Sequence, residues 1–156
     1  LDYVGFLFIG LIKVGNEPYV IEYNVRMGDP ETQVVLPRIK NDFLDLMVST
    51  AQCKLKEKSL ELDEMTYTNV VLASSGYPES YEKGKVIEGI EGVLDSSVLH
   101  AGTINKNGQV LTNGGRVLSI VSKSKNISGA LKKSYDSIQK VHFEGKTYRK
   151  DIGFDL

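Results

Sequence analysis

Residues 20–33 read VIEYNVRMGDPETQ, and this stretch constrains the local fold more than any other. Alternate side chains of a β-strand share a face. Glu22, Asn24 and Arg26 therefore fall on one side of a strand, and Ile21, Tyr23 and Val25 on the other. Gly28-Asp29-Pro30 then ends the strand, because glycine and proline punctuate regular structure. One face thus carries a carboxylate, an amide oxygen and a guanidinium. Hard oxygen donors suit Mg²⁺, and a guanidinium suits a phosphate or carboxylate. The alternation can equally be the plain polar face of an edge strand. The next few residues weigh against that reading. Asp29 is expected as an N-cap, with Pro30 at the first helical position and Glu31 in the first turn. Arg26 would then lie close to a helix N-terminus, whose free N–H groups favour an anion.

The surrounding chain sets this strand in an α+β context. Tyr3–Ile12 is aliphatic, aromatic and β-branched, and Gly15-Asn16-Glu17-Pro18 is turn material. Tyr19–Val25 returns, so an antiparallel hairpin is expected. Val34, Val35, Ile39, Phe43, Leu46 and Met47 form a helical stripe that Pro37 should split. The charged stretch Lys54–Asp63 is the best boundary between two units, giving 1–62 and 63–156. Beyond it, strands are expected at Thr68–Ala73, Lys85–Ile87, Val98–Ala101, Val110–Thr112 and Val117–Val121. Asn105-Lys106-Asn107-Gly108 is a hairpin turn. Asn126 or Ser128 can cap a last helix reaching about Lys140, and Val141–Arg149 suggests a final short hairpin.

Charge and composition exclude some function classes. A formal charge of −1 over 156 residues gives no reason to expect a nucleic-acid or membrane-surface partner. Tyr3–Ile12 is too short to span a bilayer and lacks a signal peptide's basic leader and cleavage site. The one cysteine, Cys53, forms no internal disulfide, fits a cytoplasmic setting, and reads as a buried or partly buried thiol. His100, inside a strand, reads as a packed or hydrogen-bonded residue rather than a catalyst, and His142 has no supporting partner.

Two glycine-bearing loops complete the candidates. Thr112-Asn113-Gly114-Gly115-Arg116 could present N–H groups to an anion, although a turn between strands is the commoner use of such a run. The loop Gly76–Lys85, with Tyr77, Tyr81 and several charges, could touch a substrate or be an ordered surface loop. Neither a serine or cysteine nucleophile arrangement, nor zinc-ligand spacing, nor a dinucleotide fingerprint occurs.

A resemblance carries the reading further. VIEYNVRMGDPETQ resembles the signature of the phosphoribosylamine–glycine ligases (glycinamide ribonucleotide synthetases), ATP-grasp enzymes of purine biosynthesis. YVGFLFIGLI before it, VVLPRIKNDFLDLM after it, and then SSGYPESYEKGKVI, VLHAGT, LTNGGRVLSIVS and YRKDIG look like successive landmarks of the same family. Tyr23 and Met27 are small variations within the signature. Other ATP-grasp enzymes share the Glu-x-Asn-x-Arg idea without continuing GDPETQ.

The resemblance implies the end of an ATP-grasp lobe over 1–62, followed by a β-rich C-terminal domain with a terminal helix over 63–156. It implies Glu22 and Asn24 as ligands of Mg²⁺ or Mn²⁺ bridging the ATP phosphates, and Arg26 as the catalytic group on the transferring phosphate. Its substrates would be ATP, glycine and 5-phosphoribosylamine, joined through glycyl phosphate, in a parent for which a monomer is the working expectation. Family members are much longer. The opening LDYVGFLFIGLI, without an initiator Met, is that of a chain entered in mid-strand, so a fragment inactive by itself is expected. The alternatives are a segment of another ATP-grasp ligase of the carboxylase type, and a non-catalytic β-rich binding module.

Overall fold

The computed structural model describes residues 2–154. The chain divides into two compact units, Leu1–Asp63 and Glu64–Leu156.

The first unit opens with an antiparallel hairpin of β1 (Phe8–Val14) and β2 (Glu17–Asn24). Gly15 adopts φ +64°, so the turn closes on Gly15 and Asn16 alone. Glu17 and Pro18 consequently join the strand, and Tyr3–Leu7 stays outside it, which shifts both strands from their expected limits. The register pairs Phe8 with Asn24 and Gly10 with Glu22, then shifts between Gly10 and Leu11.

The helical stripe breaks where expected. α1 (Thr32–Val35) runs into a 3₁₀ turn, Leu36–Arg38, that holds Pro37, and α2 (Phe43–Ala51) comes next. Asp42 caps α2 by accepting the Asp45 N–H at 3.1 Å. Asp29 does not cap α1. Glu31 holds the cap position without a side-chain bond, because Thr32 turns both its N–H and its hydroxyl onto the Gly28 carbonyl. Asp29 accepts instead from Gln33 Nε2 at 2.8 Å. Cys53 is exposed, correcting its expected burial; it follows the end of α2 with φ +57°.

The second unit is built on a four-stranded antiparallel sheet ordered β4-β7-β3-β8: β3 (Thr66–Ser74), β4 (Ser97–His100), β7 (Arg116–Ser124) and β8 (Lys146–Thr147). β5 (Thr103–Lys106) and β6 (Gln109–Thr112) form a separate hairpin. Asn107 and Gly108 both take positive φ there, which the tight turn requires. α3 (Ile127–Ile138), capped by Asn126 on the Gly129 N–H, packs on β3 and β7. Val70 and Leu72 alternate inward along β3 and meet Val117, Leu118, Ile120, Ile138 and Val141 in one core. Beside it, the hydroxyls of Thr68, Ser134, Ser122, Ser96 and Ser137 bond in series at 2.7–3.0 Å, so the polar part of the helix–sheet interface is satisfied internally.

Two expected elements take other forms. Lys85–Ile87 makes only the single bridge Val86–Leu111, flanked by bonds to Val110 and Thr112. Val141–Arg149 is not a hairpin: His142 exchanges two backbone bonds with Glu88, and β8 adds to β3. In both cases the partner lies far along the chain, and it outcompetes the local turn. His100 is exposed and bonds Thr103 Oγ1 at 2.9 Å, so it is hydrogen-bonded but not packed in the core.

Candidate functional site

The polar face of β2 is built as the alternation demands. Glu22 and Asn24 project together from the strand, and Asn24 Nδ2 donates to Glu22 Oε1 at 2.9 Å. That bond fixes the amide so that Asn24 Oδ1 stays available as an acceptor beside the carboxylate. Beneath the pair on β1 lie Phe8 and Gly10. Arg26 sits just beyond the end of β2, exposed, with Nη1 donating to the Met27 carbonyl at 3.0 Å. Gly28 is buried and starts the turn that leads into α1.

The helix terminus expected to join this group does not contribute. α1 is four residues long, and the amides of Thr32, Val34 and Val35 are already bonded to Gly28 and Glu31 carbonyls. A helix this short carries little dipole for an anion, and three of its first amides are already engaged.

The donor set suits a hard divalent cation. Glu22 and Asn24 offer oxygens only, and Mg²⁺ commonly takes one or two protein oxygens and completes its shell with phosphate and water. No group of three or more histidine, cysteine, aspartate or glutamate side chains gathers among the described residues. Two protein oxygens thus fit Mg²⁺ only as part of its shell, not as a self-sufficient cage.

The two glycine-bearing loops of the second unit prove to be one packed corner. Gly84 N and Lys85 N both bond Thr112, and Ser74 bonds Gly114 and Gly115 through its hydroxyl and its amide. The Tyr77 ring lies where a side chain at Gly115 would be. Gly102 and Gly114 touch backbone to backbone. Gly76, Gly114 and Gly115 serve close packing, the plain-turn reading, while Gly84 faces open space and takes φ +80°. Beside this corner a polar cavity of about 500 Å³ is lined by Ser75, Ser80, Tyr81, Glu82, Lys85 and Glu144. Lys85 Nζ lies 2.7 Å from Glu82 and 3.0 Å from Glu144. The hydrogen bond from Lys85 holds Glu82 below the usual carboxylate range, and Glu82 with Glu144 holds Lys85 above the usual lysine value. Glu144 had no signal in the sequence, since only folding brings it to Lys85.

A strand hairpin carrying hard oxygen donors, joined to a β-rich unit with one packed helix, defines a mixed α/β protein with antiparallel sheets and few helices. Comparison with known proteins makes the family specific. Residues 67–155 match the model of the phosphoribosylglycinamide synthetase C domain, and the chain belongs to that family. It is 45% identical over 150 residues to a phosphoribosylamine–glycine ligase of Caldanaerobacter subterraneus subsp. tengcongensis, covering 96% of this chain and 36% of that protein. It is 40% identical over 157 residues to one of Fusobacterium nucleatum, covering 98% and 37%. The crystal structure of a Thermotoga maritima phosphoribosylamine–glycine ligase superposes with a TM-score of 0.81 at 39% identity, over 93% of this chain and 36% of that one. The chain therefore spans a little over a third of the length of the curated relatives it matches.

Proposed function

We propose that this chain supplies one wall of the active site of an ATP-dependent ligase that joins glycine to 5-phosphoribosylamine. The observation that carries the reading is the Asn24–Glu22 hydrogen bond on a single strand face, with Arg26 at its end, in a chain whose relatives bear the ligase's name. Residues 1–62 would be the end of an ATP-grasp lobe, and 63–156 its β-rich C-terminal domain. Among the described residues no helix is long and apolar enough to cross a membrane, and work in the cytoplasm goes with this reading.

In the proposed reaction a glycine carboxylate oxygen bonds to the terminal phosphorus of ATP as the bond to ADP breaks. The amine of phosphoribosylamine then attacks the acyl carbon, inorganic phosphate leaves, and the amine loses a proton. Glu22 and Asn24 would hold Mg²⁺ or Mn²⁺, which when bound neutralises charge on the phosphate oxygens. Arg26 spends one N–H on the Met27 carbonyl, which aims its guanidinium, and the remaining donors match phosphate oxygens. Both roles are positional and electrostatic, the effects on which phosphoryl transfer chiefly depends.

A hybrid tests this. The matching segment of the Thermotoga maritima ligase is replaced by this chain, and ADP release is measured with each substrate omitted in turn. The expected result is ADP formation that requires both glycine and phosphoribosylamine, with Arg26→Ala lowering turnover about 10²-fold or more. The 156 residues alone should form no glycine-dependent ADP. A folded hybrid that turns over a different acceptor, or an isolated chain that is active, would overturn the proposal.

A further inference from the structure

Gly10 lies inside β1, between Ile9 and Leu11, where glycine costs about 0.5–1 kcal/mol relative to alanine. Its φ is not positive, so backbone conformation does not demand glycine there. Close approach disfavours a side chain there. Gly10 pairs directly with Glu22, and a Cβ on Gly10 would stand 3.1 Å from Glu22 Cγ and 3.7 Å from Phe8 Cε1. The stem of Glu22 thus rests on the bare backbone of β1 beside the Phe8 ring, and its carboxylate reaches the Asn24 amide from that position. The register shift directly after Gly10 bends β1 at the same point.

We infer that Gly10 is a positioning residue for the oxygen pair: its missing side chain seats Glu22 low on β1, so that Glu22 and Asn24 present their oxygens together. The inference rests on the metal role proposed above. Its test is in two parts. In the hybrid ligase, thermal stability is measured for Gly10→Ala, Glu22→Ala and the double variant, a cycle that isolates their coupling. If Glu22 is what fills the space, Gly10→Ala is less favourable for the melting temperature in the presence of Glu22 than once Glu22 is alanine, where an alanine in the strand should raise it. Additive effects would overturn the inference, and a Gly10→Ala chain that fails to fold until Glu22 is also replaced would support it. In the hybrid ligase, Mn²⁺ binding with ADP is read directly by paramagnetic resonance. Gly10→Ala should weaken it about 10-fold while leaving the KM for glycine within about twofold. Unchanged Mn²⁺ affinity in Gly10→Ala, with affinity lost in Glu22→Ala, overturns the role of Gly10 alone. Unchanged affinity in both variants overturns the metal reading with it.

Discussion

Lys146 shows how much one side chain can hold. Its ammonium reaches back from β8 to donate to the carbonyls of Ile138 and Val141 at 2.9 and 2.5 Å, closing the C-terminal end of α3 where carbonyls otherwise lack partners. Burial pulls its pKa below the ordinary 10.5, with Tyr148 opposing the shift. The unfolded chain therefore binds this proton more tightly than the folded one. The resulting contribution is absent below the lowered folded value, grows as pH rises from there toward 10.5, and is lost again as pH falls. Lys146→Met should cost about 1–3 kcal/mol at neutral pH, since the Val141 carbonyl loses the ammonium and the Ile138 carbonyl keeps only the longer Val141 N–H bond at 3.3 Å. Chemical denaturation from pH 7 to 10 should show the gap to the parent chain widening. A constant gap would mean that Lys146 titrates as it does in water. Nothing in the local sequence marks Lys146 for this role. The cap at Asn126 was legible, because it acts on an amide three residues away.

Elements with local determinants were equally legible. The Asn107-Gly108 turn, the split at Pro37 and the alternation of β2 each arise from neighbours in the chain. Lys85–Ile87 and Val141–Arg149 depart from the sequence expectation because their backbone partners, Val110, Thr112, Glu88 and β3, come from elsewhere. The strand face that carries Glu22 and Asn24 was readable for the same local reason, whereas the room that Gly10 makes for Glu22 depends on register and was not. The corner around Gly102 offers a test at this scale. A Cβ on Gly102 would lie 2.6 Å from both Gly114 Cα and the Arg116 carbonyl oxygen. Backbone atoms cannot rotate away, so Gly102→Ala should destabilise the second unit by about 1–3 kcal/mol, read as a lower denaturation midpoint with an unchanged slope. A change under about 0.5 kcal/mol would show that the corner opens freely.

At the scale of the whole molecule the two units differ in how much they bury. The second has a contiguous core in which Leu72, Val117, Leu118, Ile120 and Ile138 are fully enclosed. In the first, Leu46 is the one buried apolar side chain among the described residues, while Ile21 and Tyr23 on β2 remain more than 60% exposed. A two-stranded hairpin is marginal alone in water, and exposed apolar surface on this scale favours association. Residues 64–156 expressed alone should unfold cooperatively, and 1–63 should not; cooperative unfolding of the latter would contradict this account of where the stability lies. The family could be read from ordered landmarks along the chain, while the division of stability needed coordinates, because burial depends on which faces meet.

The central claim is that the Glu22–Asn24 pair serves the ligase reaction. Its most direct test is glycine-dependent ADP formation by the hybrid ligase with Glu22 intact and with Glu22→Ala, each checked for folding by its melting temperature. The account predicts turnover with Glu22 and a loss of about 10²-fold or more without it, the fold unchanged. Near-equal turnover from the two folded proteins would contradict it.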